Sequence, residues 1–122
     1  MTDKLDAIFA MQKQLNDEIV EKRHLEAVTQ SEWIQKLTLA TLSELSEVLD
    51  EVNFKWWKNE KPVDEAKLQE ELVDVLHFFI SMCLRANLTP DALYEKYLAK
   101  NEENFRRQRG LSEKKGYSIT ES

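Results

Sequence analysis

The sequence predicts an all-α fold, a bundle of four to five helices, and three observations support that prediction. The 122 residues include only two glycines and two prolines, and the first of each are Gly110 and Pro62. A β-fold needs turn residues about every eight to twelve positions, which this chain lacks. The Gly-rich phosphate loops of Rossmann and Walker-type proteins are excluded for the same reason. Finally, apolar residues recur at helical spacing in four segments.

Length and charge restrict the class of protein further. A chain of 122 residues suits one domain, and 42% hydrophobic residues suffice for a core. Lys and Arg total 17 and Asp and Glu total 23, so the net charge is 17 − 23 = −6, which disfavours nucleic-acid binding. No apolar run reaches the roughly 18 to 20 residues of a membrane span, and the first residues lack a signal sequence. We expect a cytoplasmic protein without nucleic-acid or membrane partners.

Two helices are predicted in the first half of the chain. The first runs from Thr2, as its N-cap, to about Arg23, and the second begins after Ser31 and runs to about Val52. The following stretch, residues 53–63, breaks the helical pattern and contains a proline. It is therefore predicted to be a loop.

The third predicted helix runs from near Asp64 to about Asn87 and is apolar on nearly every side over residues 72–84. Such a helix is central or shared with a second subunit, so we expect a homodimer or a higher even oligomer whose subunits share helices.

Thr89 followed by Pro90 predicts the start of the fourth helix, which runs to about Arg109 with Gly110 as its C-cap. The helical domain then covers residues 1–110. Residues 111–122 are polar and are expected to form a mobile tail that could act as a lid.

Two pairs of acids lie on the apolar side of their helices. At 100° per residue, Glu44 and Glu47 continue the apolar stripe of the second helix, and Glu71 and Asp74 share a face with Phe78. Burying several carboxylates together is costly unless a cation neutralises them. Mg²⁺, with Mn²⁺ as an alternative, prefers such oxygen ligands, so the four acids predict a metal site.

Two other interpretations of the acids are weaker. Acids spaced three apart are commonly solvated or paired with lysine, but no Lys or Arg lies within four residues of Glu44 or Glu47, and only Lys67 lies that close to Glu71. A di-iron bundle would need paired Glu-x-x-His motifs, whereas this chain has a single Asp74-x-x-His77.

Three further groups of residues could bind a nucleotide. Lys100, Asn104 and Arg107 share one face of the fourth helix and suit a polyphosphate, although basic residues at a helix end also complement the helix dipole. The loop 54–58, Phe-Lys-Trp-Trp-Lys, could cover a base or act as a hydrophobic clamp. Gln12 and Asn16 lie one turn apart and could read a pyrimidine edge, or could satisfy other buried polar groups.

These residues resemble the metal motif of the all-α NTP pyrophosphohydrolases, a superfamily that includes MazG-like enzymes, dCTP pyrophosphatases and dimeric dUTPases. The core of the resemblance is Glu44-Leu-Ser-Glu47, 23 intervening residues, and Glu71-Leu-Val-Asp74. The dimeric dUTPase branch is favoured by further stretches within residues 8–117, namely 11–17, Trp56-Trp57-Lys58, Leu76-His77-Phe78-Phe79 and the run Tyr97, Lys100, Asn101, Asn104, Arg107, Gln108, Gly116 and Tyr117.

The resemblance implies Mg²⁺-dependent hydrolysis of dUTP to dUMP and pyrophosphate, with dCTP or a broader set of nucleotides as the alternative. A non-catalytic helical module that binds a protein partner is the alternative of another class. The implied roles are metal binding by Glu44, Glu47, Glu71 and Asp74, general-base catalysis by Glu47 or Glu44, phosphate binding by Lys100, Asn104, Arg107, Lys58 and Tyr117, uracil contacts by Gln12 and Asn16, and shaping of the base and sugar pocket by Trp57 and Phe78.

Overall fold

The computed structural model describes residues 2–119, and the chain is all-helical within them, as predicted. The four helices are α1 (Lys4–Arg23), α2 (Gln30–Glu51), α3 (Glu65–Arg85) and α4 (Pro90–Gln108). The chain divides between Leu88 and Thr89 into two compact units. The first contains α1 to α3, and the second contains α4 and the segment that follows it.

Side-chain caps set the start of each helix, and two starts differ from the prediction. The N-cap of α1 is Asp3 rather than Thr2, because the Asp3 and Asp6 side chains each accept a hydrogen bond from the other residue's backbone N–H. Helix α2 starts before Ser31, because Thr29 Oγ1 accepts from the Glu32 N–H at 3.2 Å. Both corrections have the same cause, since several adjacent polar residues could serve as the cap and only one has the required geometry.

The other two starts agree with the prediction. Asp64 caps α3, and its carboxylate accepts from the Lys67 N–H at 3.2 Å. Thr89 caps α4, with Pro90 as the first helical residue. Proline is well placed there, because the first N–H of a helix has no intrahelical partner.

The C-cap of α4 lies one residue before the predicted one. Arg109 is the C-cap, and Gly110 follows it with a φ of +73°. The Gly110 N–H donates to the Arg107 carbonyl at 3.2 Å, and the Leu111 N–H donates to the Arg106 carbonyl at 2.9 Å. This is the pairing of a Schellman motif, in which the residue after the cap must be left-handed, so glycine is favoured at position 110.

Helix α3 ends at Arg85, two residues before the predicted end, because Asn87 takes a left-handed φ of 61°. Its N–H donates to the Leu84 carbonyl at 3.2 Å, which closes the last turn.

In the first unit, α3 packs against both α1 and α2. The side chains of Phe9, Leu37, Ile80 and Cys83 are buried where these helices meet. Much of the apolar surface of α3 nevertheless stays open, since Leu72 and several other apolar residues of this helix are 40 to 52% exposed in the single chain.

Within the described part of the chain, no single helix is long and apolar enough to cross a membrane, although α3 and α4 taken together meet the criteria of length and composition.

Candidate active site

The four predicted metal-binding acids come together in the first unit. Glu44 and Glu47 lie on α2, and Glu71 and Asp74 lie on α3. One carboxylate oxygen from each lies within 4.8 Å of the other three. Glu44 and Glu71 are half-buried, whereas Glu47 and Asp74 are exposed. We call these residues the acidic cluster.

Proximity and burial make the charged form of this cluster costly. The pKa of Glu71 rises from 4.5 to about 7, first because its carboxyl group hydrogen-bonds with Glu47, then through desolvation and the charges of Glu47, Asp74 and Glu44. The pKa of Glu44 is also raised, mainly by desolvation and then by the charges of Glu47 and Asp74. Both shifts mean that the folded chain disfavours the charged forms of Glu71 and Glu44.

The cluster has the chemistry expected for a hard divalent cation. All of its donors are carboxylate oxygens, and Glu71 Oε2 is buried with no hydrogen-bond partner. A buried oxygen without a partner is costly, and a bound cation would remove that cost. The donor set therefore fits Mg²⁺ or Mn²⁺.

Local ion pairing does not neutralise the cluster. Lys67, the only basic residue near Glu71 in sequence, has its Nζ 3.4 Å from Glu51 Oε1. The pKa of Lys67 is raised, and hydrogen bonding to Glu51 is the main cause. None of the ion pairs found within residues 2–119 includes a member of the acidic cluster.

A cavity of about 490 Å³ adjoins the acidic cluster and shares Glu44 and Asp74 with it. Three residues predicted to contact the base or sugar, Gln12, Asn16 and Phe78, also line this cavity. The structure thus brings two members of the acidic cluster and three of the predicted base and sugar contacts to one concave site.

Sequence reasoning missed four polar or aromatic residues of the cavity wall, which are Trp33, His77, Ser81 and Arg85. The Arg85 guanidinium lies 4.4 Å from the centre of the Trp33 ring. His77 and Ser81 are four residues apart on α3, as Gln12 and Asn16 are on α1. That matched spacing is the signal that could have revealed His77 and Ser81.

The predicted loop residues lie elsewhere. Trp57 is 61% exposed and packs edge-on against Phe54 and Trp56, with ring centres 6.4 and 4.7 Å apart. Lys58 lines a separate cavity of about 320 Å³. Neither Trp57 nor Lys58 lines the cavity beside the acidic cluster.

The remaining predicted phosphate ligands belong to the second unit. Lys100 and Asn104 are exposed on α4. The Arg107 guanidinium lies 5.3 Å from the centre of the Tyr117 ring, and Arg107 Nε is buried without a hydrogen-bond partner. Nε is also 3.6 Å from Glu103 Oε2, an ion-pair distance that is too long for a hydrogen bond. The segment after α4 therefore turns back to place Tyr117 on Arg107.

Comparison with known proteins identifies a family and two partial relatives. A family model described as dUTPase matches residues 4–90, which include the acidic cluster, Gln12 and Asn16 but not the predicted phosphate ligands of α4. Two dCTP pyrophosphatases, from Enterobacteria phages T4 and LZ5, are each 34% identical over 47 residues, or 38% of this chain. The match spans only 28% and 27% of those proteins.

No solved structure matches this chain significantly. The family match covers most of the chain and all three helices of the first unit. The chain therefore belongs to the dUTPase family of the all-α NTP pyrophosphohydrolase type.

Proposed function

We propose that this protein is a nucleoside triphosphate pyrophosphohydrolase that converts dUTP to dUMP and pyrophosphate with Mg²⁺, for which Mn²⁺ is an alternative. One observation supports this most directly, which is that two members of the acidic cluster and three of the candidate base and sugar contacts line the same cavity. A metal centre next to a concave site with few polar groups is the usual arrangement of an active site. Family membership supports the same class of reaction.

In this proposal the four carboxylates hold the cation. When bound, Mg²⁺ supplies positive charge for the polyphosphate oxygens and lowers the pKa of water. Water adds to one phosphorus of the α–β linkage, and the bridging oxygen leaves with the departing phosphate group. Glu47 or Glu44 accepts the proton that the water loses.

The base would occupy the region of the cavity lined by Gln12, Asn16 and Phe78. The two amides each offer both a donor and an acceptor, which is what a pyrimidine edge requires. Phe78, one turn after Asp74 on α3, would pack against the base or the sugar. Trp57 lies outside this cavity in the single chain, so its proposed role in shaping the base pocket requires a movement of the loop 54–58.

Lys100, Asn104 and Arg107 on α4, together with Lys58 and Tyr117, are the proposed phosphate ligands. Arg107 Nε supports this assignment, because it is buried and has no hydrogen-bond partner, with Glu103 Oε2 only at an ion-pair distance of 3.6 Å, so a phosphate oxygen could accept from it. We take residues 1–110 as the catalytic domain and the following segment as a cover over the phosphates; of the predicted tail 111–122, residues 120–122 lie outside the described part of the chain.

The test is pyrophosphate release from dUTP, dCTP, dTTP, dATP, dGTP and UTP, with Mg²⁺ and with EDTA. Preferred hydrolysis of dUTP that requires Mg²⁺ would support the proposal. The phage relatives favour dCTP as the second candidate, and a preference for it would replace dUTP while retaining the reaction. A chain without turnover and without Mg²⁺-dependent stabilisation would be a non-catalytic module.

We also propose that the protein is a homodimer or a higher even oligomer. A groove of about 470 Å³ between α1 and α3 is lined mainly by apolar residues, among them Met11, which is 62% exposed. Open apolar surface of this extent is unusual in a monomer and typical of an interface. Equilibrium ultracentrifugation at micromolar concentration should show a dimer or tetramer, and a monomer would contradict the proposal.

A further inference from the structure

Four polar side chains form a hydrogen-bonded ring between α1 and α3 in the wall of the cavity. His77 Nδ1 hydrogen-bonds with Gln12 Oε1, and Gln12 Nε2 donates to Asn16 Oδ1 at 3.0 Å. Asn16 Nδ2 donates to Ser81 Oγ at 3.1 Å, and Ser81 Oγ donates to the His77 backbone carbonyl at 2.8 Å. The ring therefore ends on the residue at which it begins.

The direction of these bonds is set as a unit. A serine hydroxyl has one proton, and that of Ser81 goes to the His77 carbonyl, so Ser81 Oγ is the acceptor for Asn16. The Asn16 oxygen then faces the Gln12 nitrogen, and the Gln12 oxygen faces His77, whose Nδ1 must carry its proton. Ser81 and Gln12 are only 3% and 7% exposed, so water does not offer them an alternative partner.

The opposite direction would follow from the other histidine tautomer. With the proton of His77 on Nε2, Nδ1 becomes an acceptor, and the amides of Gln12 and Asn16 must both turn over. Ser81 would then donate to Asn16 instead of to the carbonyl. Turning an amide over exchanges the positions of its nitrogen and its oxygen. The hydrogen and the lone pair that each amide leaves free for a ligand therefore exchange places as well.

Uracil and cytosine differ in the same sense. Uracil presents an acceptor at O4 and a donor at N3, whereas cytosine presents a donor at N4 and an acceptor at N3. A pair of amides locked in one direction can match only one of these edges well, because a mismatched edge leaves buried polar groups unpaired.

We propose that His77 and Ser81 are positioning residues that determine base specificity by fixing the direction in which Gln12 and Asn16 present their donors and acceptors. The inference rests on the proposed function, since it assumes that these amides contact the base. Neither His77 nor Ser81 needs to contact the base itself. A ring that only joined α1 to α3 would affect stability and the turnover of all nucleotides alike.

The experiment compares kcat/KM for dUTP and dCTP in the full chain and in four variants. Ser81→Ala removes the hydroxyl that sets the direction, and His77→Phe keeps a ring but removes the donor. His77→Asn retains a side-chain N–H near the position of Nδ1. The matched control is Thr41→Ala, because Thr41 Oγ1 makes the same kind of bond to the carbonyl four residues earlier, at 2.8 Å, but lies outside the cavity.

We expect the ratio of kcat/KM between the preferred and the other nucleotide to fall about tenfold in Ser81→Ala and in His77→Phe, the order expected for one misdirected hydrogen bond. The change should appear mainly in KM. His77→Asn should restore most of the ratio, and Thr41→Ala should leave it unchanged. Because His77 is largely exposed, its two variants decide the question if Ser81→Ala does not fold.

A second measurement does not depend on turnover. Nitrogen chemical shifts of the His77 ring in the free protein should show the Nδ1–H tautomer, and the Nε2–H tautomer would overturn the inference. An active enzyme whose nucleotide ratio is unchanged in the Ser81 and His77 variants would also overturn it, while leaving the proposed function standing. A wild-type chain that hydrolyses neither nucleotide would instead overturn the proposed function.

Discussion

The carboxyl groups of Glu47 and Glu71 hydrogen-bond across the gap between α2 and α3, and this contact is the main reason why the pKa of Glu71 rises to about 7. Two carboxyl groups can hydrogen-bond only if one of them carries a proton. The raised pKa means that the metal-free acidic cluster retains a proton to a higher pH than an ordinary carboxyl group would, in the place where a cation would bind. Cation binding should release that proton.

The first prediction concerns the pH dependence of stability without metal. A raised pKa in the folded state means that the folded chain binds more protons than the unfolded chain between about pH 4.5 and pH 7. The contribution of Glu71 to the free energy of unfolding in EDTA should therefore fall as the pH rises through this window. Urea unfolding at pH 5, 6, 7 and 8 measures the slope.

Two comparisons test whether Glu71 is the cause. Saturating Mg²⁺ should remove most of the loss of stability above pH 7, because the bound cation replaces the proton. The variant Glu71→Gln should give a flatter profile in EDTA. An equal slope in wild type and in Glu71→Gln would show that other groups are responsible.

The second prediction concerns the charge of the acidic cluster. Glu47→Gln and Asp74→Asn each remove one charge while keeping the shape of the side chain, so they should abolish turnover but raise the melting temperature in EDTA. The rise in melting temperature caused by Mg²⁺ should be smaller than in wild type. Differential scanning fluorimetry and pyrophosphate release measure both effects.

Glu70→Gln is the matched control for the cluster variants. Glu70 lies next to Glu71 on α3 but is exposed and outside the acidic cluster. Its substitution should change neither the response to Mg²⁺ nor turnover. If Glu47→Gln and Asp74→Asn keep near-wild-type turnover, the metal site has been assigned to the wrong residues.

The third prediction separates Arg107 from the segment after α4. Arg107→Ala should lower kcat/KM. The loss should correspond to about 1.5 to 3 kcal/mol of transition-state stabilisation, the value of a charge-assisted hydrogen bond. A chain cut after Leu111 keeps the backbone bonds that close α4 but loses Tyr117. It should be less impaired than Arg107→Ala, because the guanidinium is retained, although its contact with the Tyr117 ring and the hydrogen bond from Ser112 to Glu103 are lost.

Both variants should retain the Mg²⁺-induced stabilisation, since the acidic cluster lies upstream of α4. A shortened chain with full kcat/KM would show that Tyr117 and its neighbours do not contribute to turnover. Steady-state kinetics with dUTP at saturating Mg²⁺ provides the comparison.

The fourth prediction concerns assembly. Met11→Glu places a charge in the apolar groove between α1 and α3, so it should favour the monomer over the dimer or tetramer. The dissociation constant of the oligomer should rise by at least about tenfold. Gln14→Glu is the control, because Gln14 lies on the same helix, is already polar and does not line that groove. Sedimentation equilibrium and helical circular dichroism together distinguish dissociation from unfolding. Unchanged association in Met11→Glu would show that this groove is not the interface.

The sequence by itself determined the helical class and the chemistry of the acidic cluster. Helix-capping residues and apolar periodicity act over three or four neighbours, so they can be read from the chain, as Thr89 and Pro90 show for α4. The spacing of Glu44 and Glu47, and of Glu71 and Asp74, likewise depends only on helical geometry. These features are local, so they can be predicted without knowing which helix packs against them.

Tertiary structure alone decided how the helices combine these residues. The sequence pattern does not support His77 as a ligand of a di-iron site and gives it no other role. Only the packing of α1 on α3 places it against Gln12. The packing of α2 on α3 likewise gives Lys67 its partner, since Nζ lies 3.4 Å from Glu51 Oε1 rather than pairing with the nearby Glu71. Such contacts depend on distances between segments that are far apart in the chain. The residue pattern of a single helix does not contain these distances, because the relative position of two helices is set by the fit of all the side chains between them.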